Sequence, residues 1–306
     1  MRAVFMGTPA FAVPSLRGLL DAGIDVVAAC TQPDRPSGRG NRLMPCPVKA
    51  LALERGVPVL QFERVGRQEG VEALSALGPD LFVTAAFGQI LPQRLLDIPR
   101  LGTVNVHASL LPKYRGPAPI NWCIVEGETV TGVTTMMTDA GVDTGDILLR
   151  RETEIGPEET AGELTERLSV LGAELLLETL GRIRAGDCPR TPQDHGQATR
   201  HPLLSKELGR IDWTQPAGSI ANLVRGTSPW PGAYAGMADG RTLKIWKARP
   251  VEGKGAPGSL LQADAKRGLV IACGEGALAV AELQAPGARR MAAADYLRGH
   301  GLALLR

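Results

Sequence analysis

Asn105 and His107 stand two residues apart in the run TVNVHASLLPKYRG, residues 103–116. Val104 and Val106 are β-branched and read as a short strand entering a core. Side chains alternate along a strand, so an amide and an imidazole leave on one face where the strand ends. Pro112 then turns the chain, and Lys113, Tyr114 and Arg115 fall in a loop closed by Gly116. Such a pair is either a structural histidine beside a turn-capping asparagine or the start of a reactive site. A second run, TDAGVDTGDIL at 138–148, favours the site. Its acids Asp139, Asp143 and Asp146 are interleaved with Gly141 and Gly145, whose backbone freedom lets a carboxylate be aimed at a neighbouring ring. Asn105, His107 and Asp143 together make a hydrogen-bond donor, a proton-handling group and its orienter.

The elements that must position these groups follow an alternating pattern. Residues 2–6 read as a buried first strand, 7–9 as a turn and 11–20 as a helix, with Thr8 as its cap and Pro9 in its first turn. A second strand is expected at 25–30. This is how a nucleotide-binding sheet begins, but GxGxxG glycines are missing, which argues against a dinucleotide site. Further helices are expected at 48–55, 67–77, 117–125 and 161–185. The remaining strands are placed at 58–60, 80–86, 130–137 and 147–153. The near-continuous apolar run DLFVTAA suits a parallel sheet covered on both faces. Ligands of such sheets bind beyond the carboxyl ends of the strands. Residues 87–92 and the Asn105/His107 strand end both fall there.

Residues 35–49 carry Arg35, Arg39, Arg42 and Lys49 with no acid, and their prolines and glycines argue against regular structure across most of the stretch. The loop is long for a compact α/β unit. It is either a solvated arm or one that meets phosphates or a nucleic-acid groove. Residues 187–208 read as a linker whose His195 and His201 lie at the surface. Beyond it, a helix near 219–225 and strands at 242–248, 258–262, 268–273 and 277–283 suggest a small β-barrel. Lys244, Lys247 and Arg249 would give one of its strands a basic outer face. Trp230 and Trp246 either stack on bases or pack in the core or a hinge. The fold class is thus α/β: a Rossmann-like, mostly parallel sheet domain (1–186), the linker (187–208) and an OB-like barrel domain (209–306).

The chain has 306 residues and a net charge of +2. From Gly209 onward it holds 13 Lys and Arg against 7 Asp and Glu, and before that 21 against 25. A basic second domain hints at a polyanionic partner. No apolar run reaches the ~18 residues of a membrane span, and the N-terminus does not read as a secretory signal. Five scattered cysteines without a CxxC pair suit reduced thiols and argue against a disulfide framework or a metal site. A cytoplasmic monomer is expected.

NVHASLLPKYRG with the downstream GVDTGDIL resembles the folate-dependent formyltransferase family. QPDRPSGRGNRLMPCPVK is similar to the basic loop of its tRNA-acting branch, with Arg39 at the position of the central arginine. AAFGQILP, RIDW, SPWPGAY and the basic C-terminal region extend the resemblance over nearly the whole chain. Pro117 and Asn121 in GPAPIN depart from the pattern without touching the triplet. The resemblance implies transfer of a formyl group from 10-formyltetrahydrofolate to the α-amine of methionyl initiator tRNA, with no metal. Asn105 would then donate to the oxyanion, His107 would handle protons, and Asp143 would orient His107 or accept the amine's proton through water.

Under the same resemblance the folate lies against Phe87, Gly88, Gln89, Ile90, Leu91 and Pro92, with Ser109, Leu110, Leu111, Pro112, Gly141 and Val142. The Ser109 turn either touches the folate or only frames the cleft. Tyr114 and Arg115 either contact substrate or hold their loop. The tRNA would meet Arg35, Arg39, Arg42 and Lys49, and in the second domain Lys244, Lys247 and Arg249. Three rival activities stay open on the residues alone. They are formylation of a small amine, hydrolysis of the formyl-folate, and RNA binding without catalysis.

Overall fold

Strand β1, Arg2–Gly7, is the axis of the first sheet. Ala3, Val4, Phe5 and Met6 are wholly buried, as a strand covered on both faces requires. The computed structural model describes residues 1–37, 42–237 and 240–299. After β1 come a 3-10 turn (Ala10–Ala12), α1 (Val13–Asp21), β2 (Asp25–Thr31), β3 (Arg35–Ser37), β4 (Arg42–Met44), α2 (Pro47–Glu54) and β5 (Val59–Gln61). The chain continues through α3 (Gln68–Ala76), β6 (Leu81–Ala85), α4 (Gln93–Leu96), β7 (Thr103–His107), α5 (Pro119–Val125), β8 (Val130–Met137), β9 (Ile147–Glu154) and α6 (Ala161–Ala185).

The first sheet runs β5-β2-β1-β6-β7-β8-β9. The pairs from β5 through β7 are parallel, and β7 meets β8 antiparallel. Successive strands spread to one side of β1 and then, from β6, to the other. The loops leaving β1 and β6 therefore flank the switch point where sheets of this kind take ligands.

Two local expectations change. Thr8 does not cap the following helix; its hydroxyl donates to the Phe87 carbonyl (3.3 Å) and accepts from the Gln32 amide (3.2 Å). The prolines and glycines of 35–49 argue against regular structure across most of that stretch, yet β3 and β4 pair antiparallel, Arg35 with Met44 and Pro36 with Leu43. A two-stranded ladder has outward-facing edges, where a proline's missing N–H costs no hydrogen bond.

The chain divides into two compact units. One comprises Met1–Gly116, Thr131–Thr153 and Thr165–Arg200, the other Pro117–Val130, Glu154–Leu164 and His201–Arg306. The second unit adds α7 (Ala217–Gly226), β10 (Ala233–Gly236), β11 (Thr242–Val251), β12 (Leu260–Asp264), β13 (Gly268–Ala272), β14 (Ala277–Gln284), β15 (Met291–Ala292) and α8 (Ala293–Gly299). Its sheet is antiparallel, ordered β10-β11-β14-β13-β12 with β15 on β14. Ile211, Ile220, Val224, Ile245, Ile271 and Leu283 fill its core. α5 approaches α7 so closely that a Cβ on Gly226 would lie 2.7 Å from Val125, while the Asn121 amide donates to the Gly226 carbonyl at 2.8 Å.

Candidate catalytic site

Strand β7 carries Asn105 and His107 to the carboxyl edge of the first sheet. Register sets Asn105 beside Thr84 of β6, and the Thr84 hydroxyl donates to Asn105 Oδ1 at 2.8 Å. His107 is buried, only 6% exposed. Its Nε2 lies 2.9 Å from the Tyr114 carbonyl. A carbonyl only accepts, so Nε2 carries a proton. The other ring nitrogen, Nδ1, lies 3.6 Å from Asp143 Oδ2. That carboxylate oxygen also accepts from the Gly116 amide at 2.7 Å. The structure thus brings His107 and Asp143 together, with Asn105 on the same face of the strand.

Both loops that meet at His107 hold a non-glycine residue in the left-handed region, Tyr114 at φ 58° and Asp143 at φ 53°. Such residues cost about 1–3 kcal/mol each and persist only where their surroundings fix them. Tyr114 N donates to Thr199 Oγ1 at 2.8 Å, and Arg115 N to the Thr199 carbonyl at 2.9 Å. The Asp143 loop also needs its glycines: a Cβ on Gly145 would sit 2.0 Å from the Met137 carbonyl. Asp139 staples this loop internally, accepting from Gly141 N and Thr144 Oγ1.

Of the residues expected against a folate, Phe87 and Leu91 belong to the core cluster with Val4 and Phe82, and Leu111 packs on Met136 and Ile147. Ser109 is fully buried and donates to the Lys113 carbonyl at 2.7 Å, closing the turn that contains the cis Leu111–Pro112 bond. Gln89, Leu110 and Pro112 are half-buried, while Gly88 and Gly141 are exposed. Ile90 and Val142 are large apolar residues left open to solvent, 77% and 48% exposed.

Sequence reading missed a chain of amides behind the β6 loop. Gln89 donates to the Phe62 carbonyl and accepts from Val65 N. Gln32 reaches the Phe87 carbonyl, and Gln61 donates to Asp34 Oδ1, the Gln32 carbonyl and Thr31 Oγ1. Lys49 completes it, 2.5 Å from Asp34 Oδ2 and 2.8 Å from Gln61 Oε1. Hydrogen bonds from Lys49 and then Gln61 hold the Asp34 carboxyl below the usual carboxylate range. Lys49 therefore ties together the two ends of the β3–β4 hairpin. Arg35 is exposed and 3.8 Å from Glu63. Arg39 lies outside the described residues, and Arg42 contributes its backbone to β4.

In the second unit a β-bulge in β11 falls between Ile245 and Ala248. It changes the phase of the strand. Leu243 and Ile245 point into the core, yet Lys247 and Arg249, at the same parity, are exposed. Lys244 Nζ lies 5.2 Å from the centre of the Trp246 ring, and the Arg290 guanidinium 5.5 Å. Lys247 pairs with Glu158 at 3.1 Å. Trp230 is 52% exposed. His195 is exposed, as expected. His201 is not a plain surface residue: it is half-buried and stacks on Trp122, ring centres 4.7 Å apart. Among the described residues no group of His, Cys, Asp and Glu is placed to hold a metal, and no helix is long and apolar enough to cross a membrane.

Residues 1–180 match the formyl transferase family, and residues 203–301 match the formyl transferase C-terminal domain. The chain belongs to the formyl transferase family. Among formyl transferase relatives, a methionyl-tRNA formyltransferase of Geotalea uraniireducens is 52% identical over 303 residues, 99% of this chain and 96% of that one. One of Solibacter usitatus is 55% identical over 304 residues, again 99% and 96%. An N-formyltransferase of Helicobacter canadensis, solved with folinic acid and dTDP-3-aminofucose, shares the fold at TM-score 0.68 and 18% identity, over 91% of this chain and 98% of that one. HypX of Aquifex aeolicus in complex with tetrahydrofolic acid aligns at TM-score 0.63 and 22% identity over 97% of this chain, which spans 47% of that larger protein.

Proposed function

We propose that this protein transfers the formyl group of 10-formyltetrahydrofolate to the α-amine of methionyl initiator tRNA. The observation that carries the reading is the Asn105, His107 and Asp143 constellation at the carboxyl edge of the sheet. It lies in a chain more than 50% identical along its length to methionyl-tRNA formyltransferases. The folate supplies an activated one-carbon unit. Asn105, its Oδ1 held by Thr84, presents its amide nitrogen to the oxygen on which charge develops as the amine attacks, a donor worth roughly 3 kcal/mol in the barrier. His107 and Asp143 help the amine's proton away and a proton onto the folate nitrogen as its bond to the formyl carbon breaks and tetrahydrofolate leaves, a contribution typically of ~10²–10⁴-fold. A neighbour of the same fold is bound to tetrahydrofolic acid, and the exposed Ile90 and Val142 offer apolar cover for such a ring system.

Residues 1–186 would form the catalytic domain and 209–306 the tRNA-binding domain. The basic stretch with Arg35, Arg39 and Arg42 would reach the acceptor stem, while Lys244, Lys247 and Arg249 would meet the RNA backbone. The Lys49–Asp34 pair supports the base of the β3–β4 hairpin, so Lys49 braces the arm. The deciding assay offers labelled 10-formyltetrahydrofolate with charged methionyl initiator tRNA, with free methionine, or with water alone. Label on the charged tRNA and not on free methionine supports the reading. Label released only as formate replaces it with a hydrolase.

A further inference from the structure

Gln193 lies between the two stretches that match the family, 1–180 and 203–301, in a segment whose sequence reads as a polar linker. It is nonetheless 7% exposed. Thr191 pairs with Ile147 of β9 and Arg200 with Arg115, so the segment is laid along the first unit rather than strung away from it. The Gln193 side chain uses both ends. Its Nε2 donates to the carbonyls of Asp143 (2.9 Å) and Gly145 (2.7 Å). Its Oε1 accepts twice from Arg115, from Nε at 3.0 Å and Nη2 at 2.7 Å. Arg115 is itself 3% exposed, and its Nη1 lies 3.1 Å from His195 Nδ1.

The geometry points to Gln193, oriented by Arg115, as a positioning residue for the Asp143 carboxylate. This inference rests on the proposed function above. The reason is in the backbone. Asp143 sits at φ 53°, a conformation that an aspartate keeps only when its neighbours impose it. Two carbonyls grasped by one amide pin the peptide units around that turn, while Gly116 N holds the carboxylate end. A guanidinium is planar and fixes the amide plane by a forked contact. Gln193 cannot rotate its amide to present oxygen to the carbonyls without setting its NH2 against Arg115, which has no acceptor to offer. The alternatives left open for Arg115 therefore narrow to holding the loop.

Gln193→Glu tests this, because it keeps the side-chain length and the acceptor for Arg115 but sets an oxygen against the two carbonyls. Expected is a fall in kcat of about tenfold, part of the ~10²–10⁴ that positioned acid–base groups supply, with KM for both substrates and the circular dichroism spectrum unchanged. The kcat–pH profile should change shape as well. In an Asp143→Asn background the same substitution should cost less than about twofold, since the two act as one unit. A wild-type kcat and pH profile overturns the inference, and so does an equal loss in both backgrounds. If the glutamate variant does not fold, Arg115→Lys, which keeps the charge and loses the fork, is read by the same criteria. A wild type that releases formate instead of formylating tRNA overturns the proposed function alone, and the comparison is then run on formate release.

Discussion

Thr84 and Asn105 face each other across adjacent parallel strands, and the hydroxyl of one holds the amide oxygen of the other at 2.8 Å. The direction of the Asn105 amide is thereby set by a neighbour that is itself buried. Thr84→Val keeps the shape and removes the donor. It should lower kcat by about tenfold, a fraction of the ~10²–10³ that a whole oxyanion donor supplies. Thr84→Ser should restore most of the loss. Steady-state kinetics on the three proteins checks this, and equal kcat for valine and threonine would sink it.

Asn105→Ala removes the donor altogether. Turnover should fall by roughly 10²–10³-fold, while the dissociation constant for charged tRNA, measured by filter binding, stays put. Weaker tRNA binding with intact turnover would place Asn105 outside the reaction.

Lys49→Met breaks the ion pair at the base of the hairpin. The Asp34 carboxyl, held low chiefly by its hydrogen bond from Lys49, should then titrate nearer the ordinary aspartate value of ~3.9. The sign follows from linkage: a lowered carboxylate contributes stability above its unfolded value and loses it as pH falls through the folded one. In the wild type the clamp therefore survives mild acid, and in the variant this protection is gone. Carbon-detected NMR titration of Asp34 in both proteins reads the difference directly.

Arg39→Ala should weaken productive use of tRNA, raising KM for the charged tRNA several-fold and flattening its salt dependence, because one phosphate-neutralising cation is lost. Unchanged kinetics at two salt concentrations would leave Arg39 without a role in tRNA use.

Cys30 lies inside β2, and burial pushes its thiol up to about 12. At pH 8 it should resist a disulfide reagent in the folded protein and react only after denaturation. Cysteine-resolved mass spectrometry before and after unfolding checks this.

The sheet, and the strand end and loop that bring His107 and Asp143 together, were legible because their signals are local. The β-branched run of Val130–Met137 and the amphipathic Ala161–Ala185 have the bounds that periodicity alone assigns. His107 and Asp143 could be singled out because a polar pair at a strand end and a Gly-interleaved run of acids are poor material for a core. What escaped depends on partners far along the chain. The β3–β4 ladder forms in a stretch whose prolines and glycines argue against it. Lys247 and Arg249 face outward as expected, but the β11 bulge that lets them do so at the same parity as the buried Ile245 has no local signal. Gln193 grips Asp143 from 50 residues away, and no local pattern of residue types encodes such a grip.

Each compact unit is assembled from three separate stretches of chain, and the last stretch of the first unit ends at Arg200. On the ribosome, Asn105, His107 and Asp143 therefore emerge well before Gln193 and Thr199, the residues that hold their loops. A nascent chain paused before residue 193 holds Asn105, His107 and Asp143 but lacks the amide that donates to the Asp143 and Gly145 carbonyls. Birth order thus puts Asn105, His107 and Asp143 outside the ribosome before the residues that close their loops, so the loops around them are completed by the last stretch of the unit to be made.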